Sequence, residues 1–172
     1  MTARGLIVSA PRSSSGKTTV TLGLLGALRR KGIAVRAAKS GPDYIDPAFH
    51  AAATAAKGVN LDSWAMLPAT IEALMAEAAQ ASDVLVIEGA MGLFDGVARA
   101  GASGNGSTAD IAAITGWPVV VVMDVSGQAQ SVAALALGLR QFRPDVRVAG
   151  VILNRVASPR HERLCRLALD GA

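Results

Sequence analysis

The uncharged run Gly5-Leu6-Ile7-Val8-Ser9-Ala10 passes directly into Pro11-Arg12-Ser13-Ser14-Ser15-Gly16-Lys17-Thr18-Thr19. The run reads as a buried strand. Lys17 to Lys31 reads as a helix stopped by Gly32. A strand that turns through small residues into a helix opening on Gly-Lys-Thr is suited to gripping phosphate. The turn's backbone N–H groups and the unpaired amides of the helix start point at an anion. The lysine reaches the outer phosphates, and the threonine hydroxyl can ligate Mg²⁺. Ser13, Ser14, Ser15, Gly16, Lys17, Thr18 and Thr19 are thus expected to bind a nucleotide. Pro11 stands where the usual pattern has its first glycine, which removes one N–H at the loop entrance, where it is least needed.

The rest of the chain repeats the alternation. Strands are expected at Ile33 to Lys39, Asp83 to Glu88, Pro118 to Asp124 and Val146 to Leu153. Helices are expected from Pro47 to about Lys57, Ala69 to Ala81, Ser107 to Thr115, Gln128 to Phe142 and Pro159 to Leu169, with Asn60 to Trp64 as a connector. Ser107-Thr-Ala-Asp110 has the form of a capping box. Five strands apolar on both faces, alternating with helices, predict an α/β fold of three layers: a mostly parallel sheet with helices on both sides. At 172 residues this is one domain. The Gly-rich stretch Gly89 to Gly106 leaves the C-terminal end of a strand, the edge at which open α/β sheets bind ligands.

Composition removes other classes. The net charge of +4 comes from scattered basic residues, densest at Arg29-Arg30-Lys31 on a helix end, and aromatics are 3%. That pattern predicts no nucleic-acid binding. No apolar run reaches membrane-spanning length and no signal-peptide pattern opens the chain, so a cytoplasmic protein is expected. The one cysteine, Cys165, falls among Leu164, Leu167, Ala168 and Leu169 and reads as core, as His50 and His161 read as structural or surface residues.

Several charged residues fall where strands meet that same edge. Lys39 ends the second strand, where it is either solvated or aimed at the ligand. Glu88 closes Val84-Leu-Val-Ile87 beside the phosphate loop, and an unpaired carboxylate buried there would be costly, so Mg²⁺ is its expected partner. Asp46, before Pro47, suits either a helix cap or a metal. Asp43 has no comparable capping place, so a functional role leads for it. Asp95, in Gly92-Leu-Phe-Asp-Gly96, is expected to contact substrate, and Asp124 to support a turn. Asn154 and Arg155 follow the last strand, where an Asn amide can pair with adenine. Arg12 is expected to bind phosphate locally or lie exposed.

The segments KSGPDYIDPAFH (39–50), NLDSW (60–64), VIEGAMGLFDG (86–96), GSTADIA (106–112), DVSGQAQSVAAL (124–135) and GVILNRV (150–156) resemble the cobyrinate and hydrogenobyrinate a,c-diamide synthases. These are relatives of dethiobiotin synthetase within the phosphate-loop NTPases. The resemblance implies a dethiobiotin-synthetase-like fold, ATP and Mg²⁺ as cofactors, and a corrinoid acid as substrate. The a and c acetate groups would be phosphorylated by ATP and then amidated by ammonia from glutamine, in vitamin B12 biosynthesis. It further implies catalytic roles for Lys17, Lys39, Asp43, Tyr44, Glu88 and Asp95. Thr18, Glu88 and one of Asp43 or Asp46 would hold the metal. Members carry a C-terminal glutaminase domain, which is expected to be missing from a chain that stops at Ala172, and Cys165 lacks a Gly-flanked elbow. Two alternatives remain: a dethiobiotin-synthetase-like ligase, and a partitioning-type switch ATPase in which a lysine at position 12 would reach across a homodimer.

Overall fold

The computed structural model describes residues 4–80 and 82–171. The strands are β1 (Arg4–Ser9), β2 (Val35–Ser40), β3 (Val59–Leu61), β4 (Val84–Glu88), β5 (Val119–Asp124) and β6 (Val148–Asn154). Between and after them run α1 (Lys17–Arg30), α2 (Asp46–Thr54), α3 (Pro68–Gln80), α4 (Thr108–Thr115), α5 (Ser131–Gln141) and α6 (Pro159–Asp170). The sheet order is β3-β2-β4-β1-β5-β6, and every pairing is parallel.

The helices cover both faces, as the doubly apolar strands require. On one face Val8, Val86, Val35, Ala37 and Val122 pack with Leu25 of α1. On the other, Ile7, Ala38, Leu85, Ile87, Val121 and Met123 pack with Ile71 of α3, Ile111 of α4, Val132 of α5 and Cys165 of α6. Gly5 is required by close approach, because a Cβ there would fall inside the Trp117 ring.

Register positions the chemistry. Lys39 is the ladder partner of Glu88, and Glu88 that of Val8. Partners across a parallel ladder share a face, so Lys39 and Glu88 turn towards the side covered by α1 and α2. β1 lies between β4 and β5 in the middle of the sheet, and its loop opens at the point where successive crossovers diverge.

The sheet has six strands where five are expected. The connector at Asn60 to Trp64 instead begins in the three-residue edge strand β3, too short and too polar at Asn60 to show alternation. β2 starts at Val35 rather than Ile33, and α5 at Ser131 rather than Gln128. The Gly-rich segment is pinned rather than loose. Ala102 N–H donates to Trp64 O, Ser103 N–H to Ser63 O, and Val97 N–H to Asn105 O. The expected capping box forms: Ser107 Oγ accepts from Asp110 N, and Ser107 N donates to Asp110 Oδ2. Asp110 also accepts from Ser63 Oγ, Asn105 N and Arg143 Nη1. Burial raises its pKa, but those bonds, Arg143's foremost, hold it below the usual carboxylate value.

Candidate functional site

The phosphate loop joins β1 to α1 with backbone conformations that most residues avoid. Ser14 has φ 64° and Gly16 has φ 89°. A Cβ at Gly16 would also lie 2.2 Å from Asn154 Nδ2, so only glycine fits both the angle and the space. Ser15 is buried and its Oγ donates to Arg12 O at 3.0 Å, closing the loop on itself. Ser13, Ser14 and Thr19 are exposed. Pro11 sits against the next loop, where Leu93 N donates to Ala10 O at 2.8 Å. Positive φ recurs at Met91 after β4 and Arg155 after β6, on the same sheet edge.

Behind the loop lies a buried charged cluster. Thr18 Oγ1 donates to Glu88 Oε1 at 2.5 Å and lies 3.5 Å from Asp46 Oδ2. Lys39 Nζ donates to Asp46 Oδ2 at 2.5 Å, to Gly89 O at 3.1 Å and to Glu88 Oε1 at 3.3 Å, with Asp43 Oδ2 at 3.8 Å. Glu88 and His50 are fully buried, and His50 Nε2 is 2.7 Å from Glu88 Oε2. Burial pushes the Glu88 carboxyl up, but hydrogen bonds from His50 and Thr18 and the Lys39 charge outweigh it and hold the group below its ordinary value. Burial, with repulsion from Lys39, pushes the Lys17 ammonium down, only partly opposed by Glu88 and Asp46.

The loop after β2 gives its two aspartates different surroundings. Asp43 Oδ1 accepts from Ile45 N at 2.8 Å and Asp46 N at 3.2 Å, closing a turn just before α2. Asp46 makes no cap. It lies inside the first turn of α2 with Pro47, leaving its carboxylate free to face Thr18 and Lys39. Tyr44 is 85% exposed, and a shallow pocket of about 300 Å³ is lined by Ser40 to Tyr44 and Ala90. Asp95 is exposed and its Oδ2 accepts from Gly92 N at 2.8 Å, closing the turn that carries it.

On the other flank, Asp124 Oδ1 accepts from Ser126 N and Oγ, which builds the expected turn. Its Oδ2 also pairs with Arg155 at 2.6 Å and Arg12 at 3.2 Å. Hydrogen bonds from Ser126 foremost, with help from Arg155, lower the Asp124 pKa against the opposing effect of burial. Asn154 donates from Nδ2 to Ser15 O at 2.9 Å and accepts Arg155 N on Oδ1. Its amide therefore ties β6 to the phosphate loop, and only its remaining N–H and lone pair are open to a base.

A family model described as CbiA, the CobQ/CobB/MinD/ParA nucleotide binding domain, matches residues 6–170. The chain belongs to this family. Hydrogenobyrinate a,c-diamide synthase of Mesorhizobium japonicum is 56% identical over 171 residues, covering 99% of this chain and 39% of that protein. The enzymes of the same name from Rhodobacter capsulatus and Agrobacterium fabrum are 56% and 51% identical, covering 97% and 99% of this chain. The chain thus spans well under half the length of these relatives, 38% to 39%. Among solved structures, the kinase domain of the Escherichia coli tyrosine kinase ETK matches with TM-score 0.58 at 14% identity, over 91% of this chain and 69% of its own. The hydrogenase maturation factor HypB of Archaeoglobus fulgidus matches with TM-score 0.50 at 12% identity, over 96% and 88%. These likenesses show the phosphate-loop NTPase fold.

In this CbiA-family domain the donors Thr18 Oγ1, Asp46 Oδ2 and Glu88 Oε1 are all oxygens. Two carboxylates and a hydroxyl beside a phosphate loop suit Mg²⁺, which takes the rest of its shell from phosphate and water. No cluster of three His, Cys, Asp or Glu side chains fit to hold a metal occurs among the described residues. His50, expected to be a structural or surface residue, instead faces Glu88. The signal that marks it is its spacing from Asp46 and Thr54, which puts 46, 50 and 54 on one helix face, with 50 and 54 its buried residues. A cavity of about 850 Å³ lies elsewhere, between α5, α6 and β6. No helix among the described residues is long and apolar enough to cross a membrane.

Proposed function

We propose that this chain is the ATP-binding, carboxylate-activating part of a longer amide-forming ligase of cobalamin biosynthesis, working in the cytoplasm. Its substrate is a corrinoid acid, and its a and c acetate groups are the acceptors. The observation that carries the reading is the 51–56% identity to three hydrogenobyrinate a,c-diamide synthases, which extends over 97–99% of this chain.

The chemistry follows from charge. A carboxylate cannot be amidated directly because oxide would have to leave. Transfer of the γ-phosphoryl group gives an acyl phosphate, whose phosphate leaves when ammonia attacks the carbonyl carbon. Both reactants of the first step are anionic, so the site must neutralise and align them. Mg²⁺, when bound, spreads the phosphate charge. The loop amides of Ser13 to Thr19 and the Lys17 ammonium hold the triphosphate, and burial of Lys17 leaves its charge poorly solvated and ready for an anion. Lys39 bridges Asp46 and Glu88 and keeps the two carboxylates at a fixed separation from Thr18. Of the two metal candidates after β2, we assign Asp46, because Asp43 Oδ1 is committed to its own turn. Asp43 and Tyr44 shape the rim of the pocket where the corrinoid carboxylate enters, and Asp95 meets the substrate from the turn after β4. Ammonia comes from a glutaminase domain in the longer protein. Arg12, held by Asp124 of its own chain, serves a phosphate locally rather than reaching across a homodimer. Asn154 and Arg155 border the nucleoside.

The test is ATP turnover with ammonium salt and a corrinoid acid, with diaminopelargonate, or with neither, backed by calorimetry of each ligand. ADP release that needs the corrinoid acid is expected. Stimulation by diaminopelargonate instead, or equal turnover with no acceptor, contradicts the proposal.

A further inference from the structure

His50 comes from α2 and reaches, fully buried, to Glu88 on β4. Its Nε2 is 2.7 Å from Glu88 Oε2, while the other carboxylate oxygen, Oε1, faces Thr18 Oγ1 at 2.5 Å and Lys39 Nζ at 3.3 Å. The two oxygens of one carboxylate are thus divided between two tasks. A ring nitrogen this close to a carboxylate is the protonated one, so Nε2 donates. Nδ1 is buried without a partner. An N–H at Nδ1 would be a stranded donor, which favours the tautomer with the hydrogen on Nε2.

The terminal torsion of a glutamate is broad and nearly two-fold, so backbone position alone does not orient its oxygens. Removing the Nε2–H would leave Oε2 buried and unpaired, and the carboxylate would rotate to share its one remaining set of donors. The helix that supplies His50 also supplies Asp46 one turn earlier on the same face. One element therefore places one carboxylate and orients the other.

We propose that His50 is a positioning residue: its Nε2–H fixes the Glu88 carboxylate so that Oε1 faces the cation position shared with Thr18 and Asp46. The proposal rests on the reading of those three oxygens as magnesium-facing. The chemistry is that of a hydrogen-bonded outer partner that sets the orientation of a ligating carboxylate, whose loss typically weakens metal binding about 10- to 100-fold.

The test is Mn²⁺ titration followed by electron paramagnetic resonance, on protein saturated with a non-hydrolysable ATP analogue. Nucleotide affinity without metal is measured in parallel by calorimetry. His50→Ala is expected to weaken Mn²⁺ about 10- to 100-fold and to leave metal-free nucleotide affinity unchanged. His50→Gln, which keeps an N–H donor of similar reach, is expected to restore most of the loss. If His50→Ala does not fold, His50→Asn, whose amide falls short, takes its place beside His50→Gln. Unchanged Mn²⁺ affinity in the Ala or Asn variant overturns the proposal. So does an equal loss in the Gln variant, or a loss of metal-free nucleotide binding, since either marks a purely structural role. Failure of the unsubstituted protein to bind Mn²⁺ with nucleotide would instead overturn the metal site itself.

Discussion

Two charged clusters flank the phosphate loop, and they differ in how far water reaches them. On the α1–α2 side, Lys39, Asp46, Glu88 and His50 are packed under helices, with Lys39 4% and Glu88 0% exposed at their side chains. On the β5–β6 side, Asp124, its own side chain 3% exposed, is shared by Arg12 and Arg155, whose side chains are 63% and 53% exposed and leave one end of each pair in water. In the first cluster both oxygens of Glu88 need a partner, because leaving one bare costs its full desolvation. In the second, solvent screens the pairs, and they tether loops without committing much energy. The costly arrangement is the one that holds a geometry.

Glu88→Ala should break that contrast most. It leaves His50 Nε2 without its carboxylate and Lys39 with Asp46 as its main charge partner, so a loss of about 3 kcal/mol is expected in urea unfolding, with ATP turnover reduced roughly 100-fold or more. A variant as stable as the parent would erase the distinction between the clusters. Lys17→Met sharpens it from the other direction. Burial lowers the Lys17 pKa below 10.5, so the unfolded chain holds that proton more tightly. Charge on Lys17 therefore opposes folding at neutral pH, and the penalty fades as pH rises through its folded value. The variant should gain about 1 kcal/mol while losing nucleotide binding in calorimetry, and lowered stability would contradict this.

Acid should separate the clusters next. The Glu88 pKa lies below its unfolded value of 4.5. Its contribution is complete above about pH 4.5 and is lost as pH falls through the folded value, where the unfolded state binds more protons. Urea unfolding between about pH 3 and 6 should show a shallower pH slope in Glu88→Gln than in the parent, and equal slopes would count against the buried network. The smallest effect is expected from Arg155→Ala, a melting shift of no more than about 2 °C that shrinks further in high salt. A large, salt-insensitive shift would mean that this side is not solvent-screened.

The sequence made some of this plain. Val84-Leu-Val-Ile87 and its counterparts showed a parallel sheet covered on both faces, and Gly16-Lys17-Thr18 after β1 showed the phosphate loop. Glu88 was legible because a carboxylate closing an apolar strand demands a partner. What stayed hidden depends on contacts between distant segments. β3 is three residues paired to β2, and nothing local distinguishes Val59-Asn60-Leu61 from a loop. His50 looked isolated because its partner is 38 residues away. The choice between Asp43 and Asp46 turns on which carboxylate folds back on its own backbone, which residue type alone does not decide.

The central claim is that a magnesium nucleotide lies along the C-terminal edge of the sheet between the loop and Glu88. A crystal structure with Mg²⁺ and a non-hydrolysable ATP analogue tests it most directly. The account predicts the triphosphate wrapped by the amides of Ser13 to Thr18 and the metal about 2.1 Å from Thr18 Oγ1. A nucleotide seated elsewhere, for instance in the cavity between α5 and α6, would contradict it.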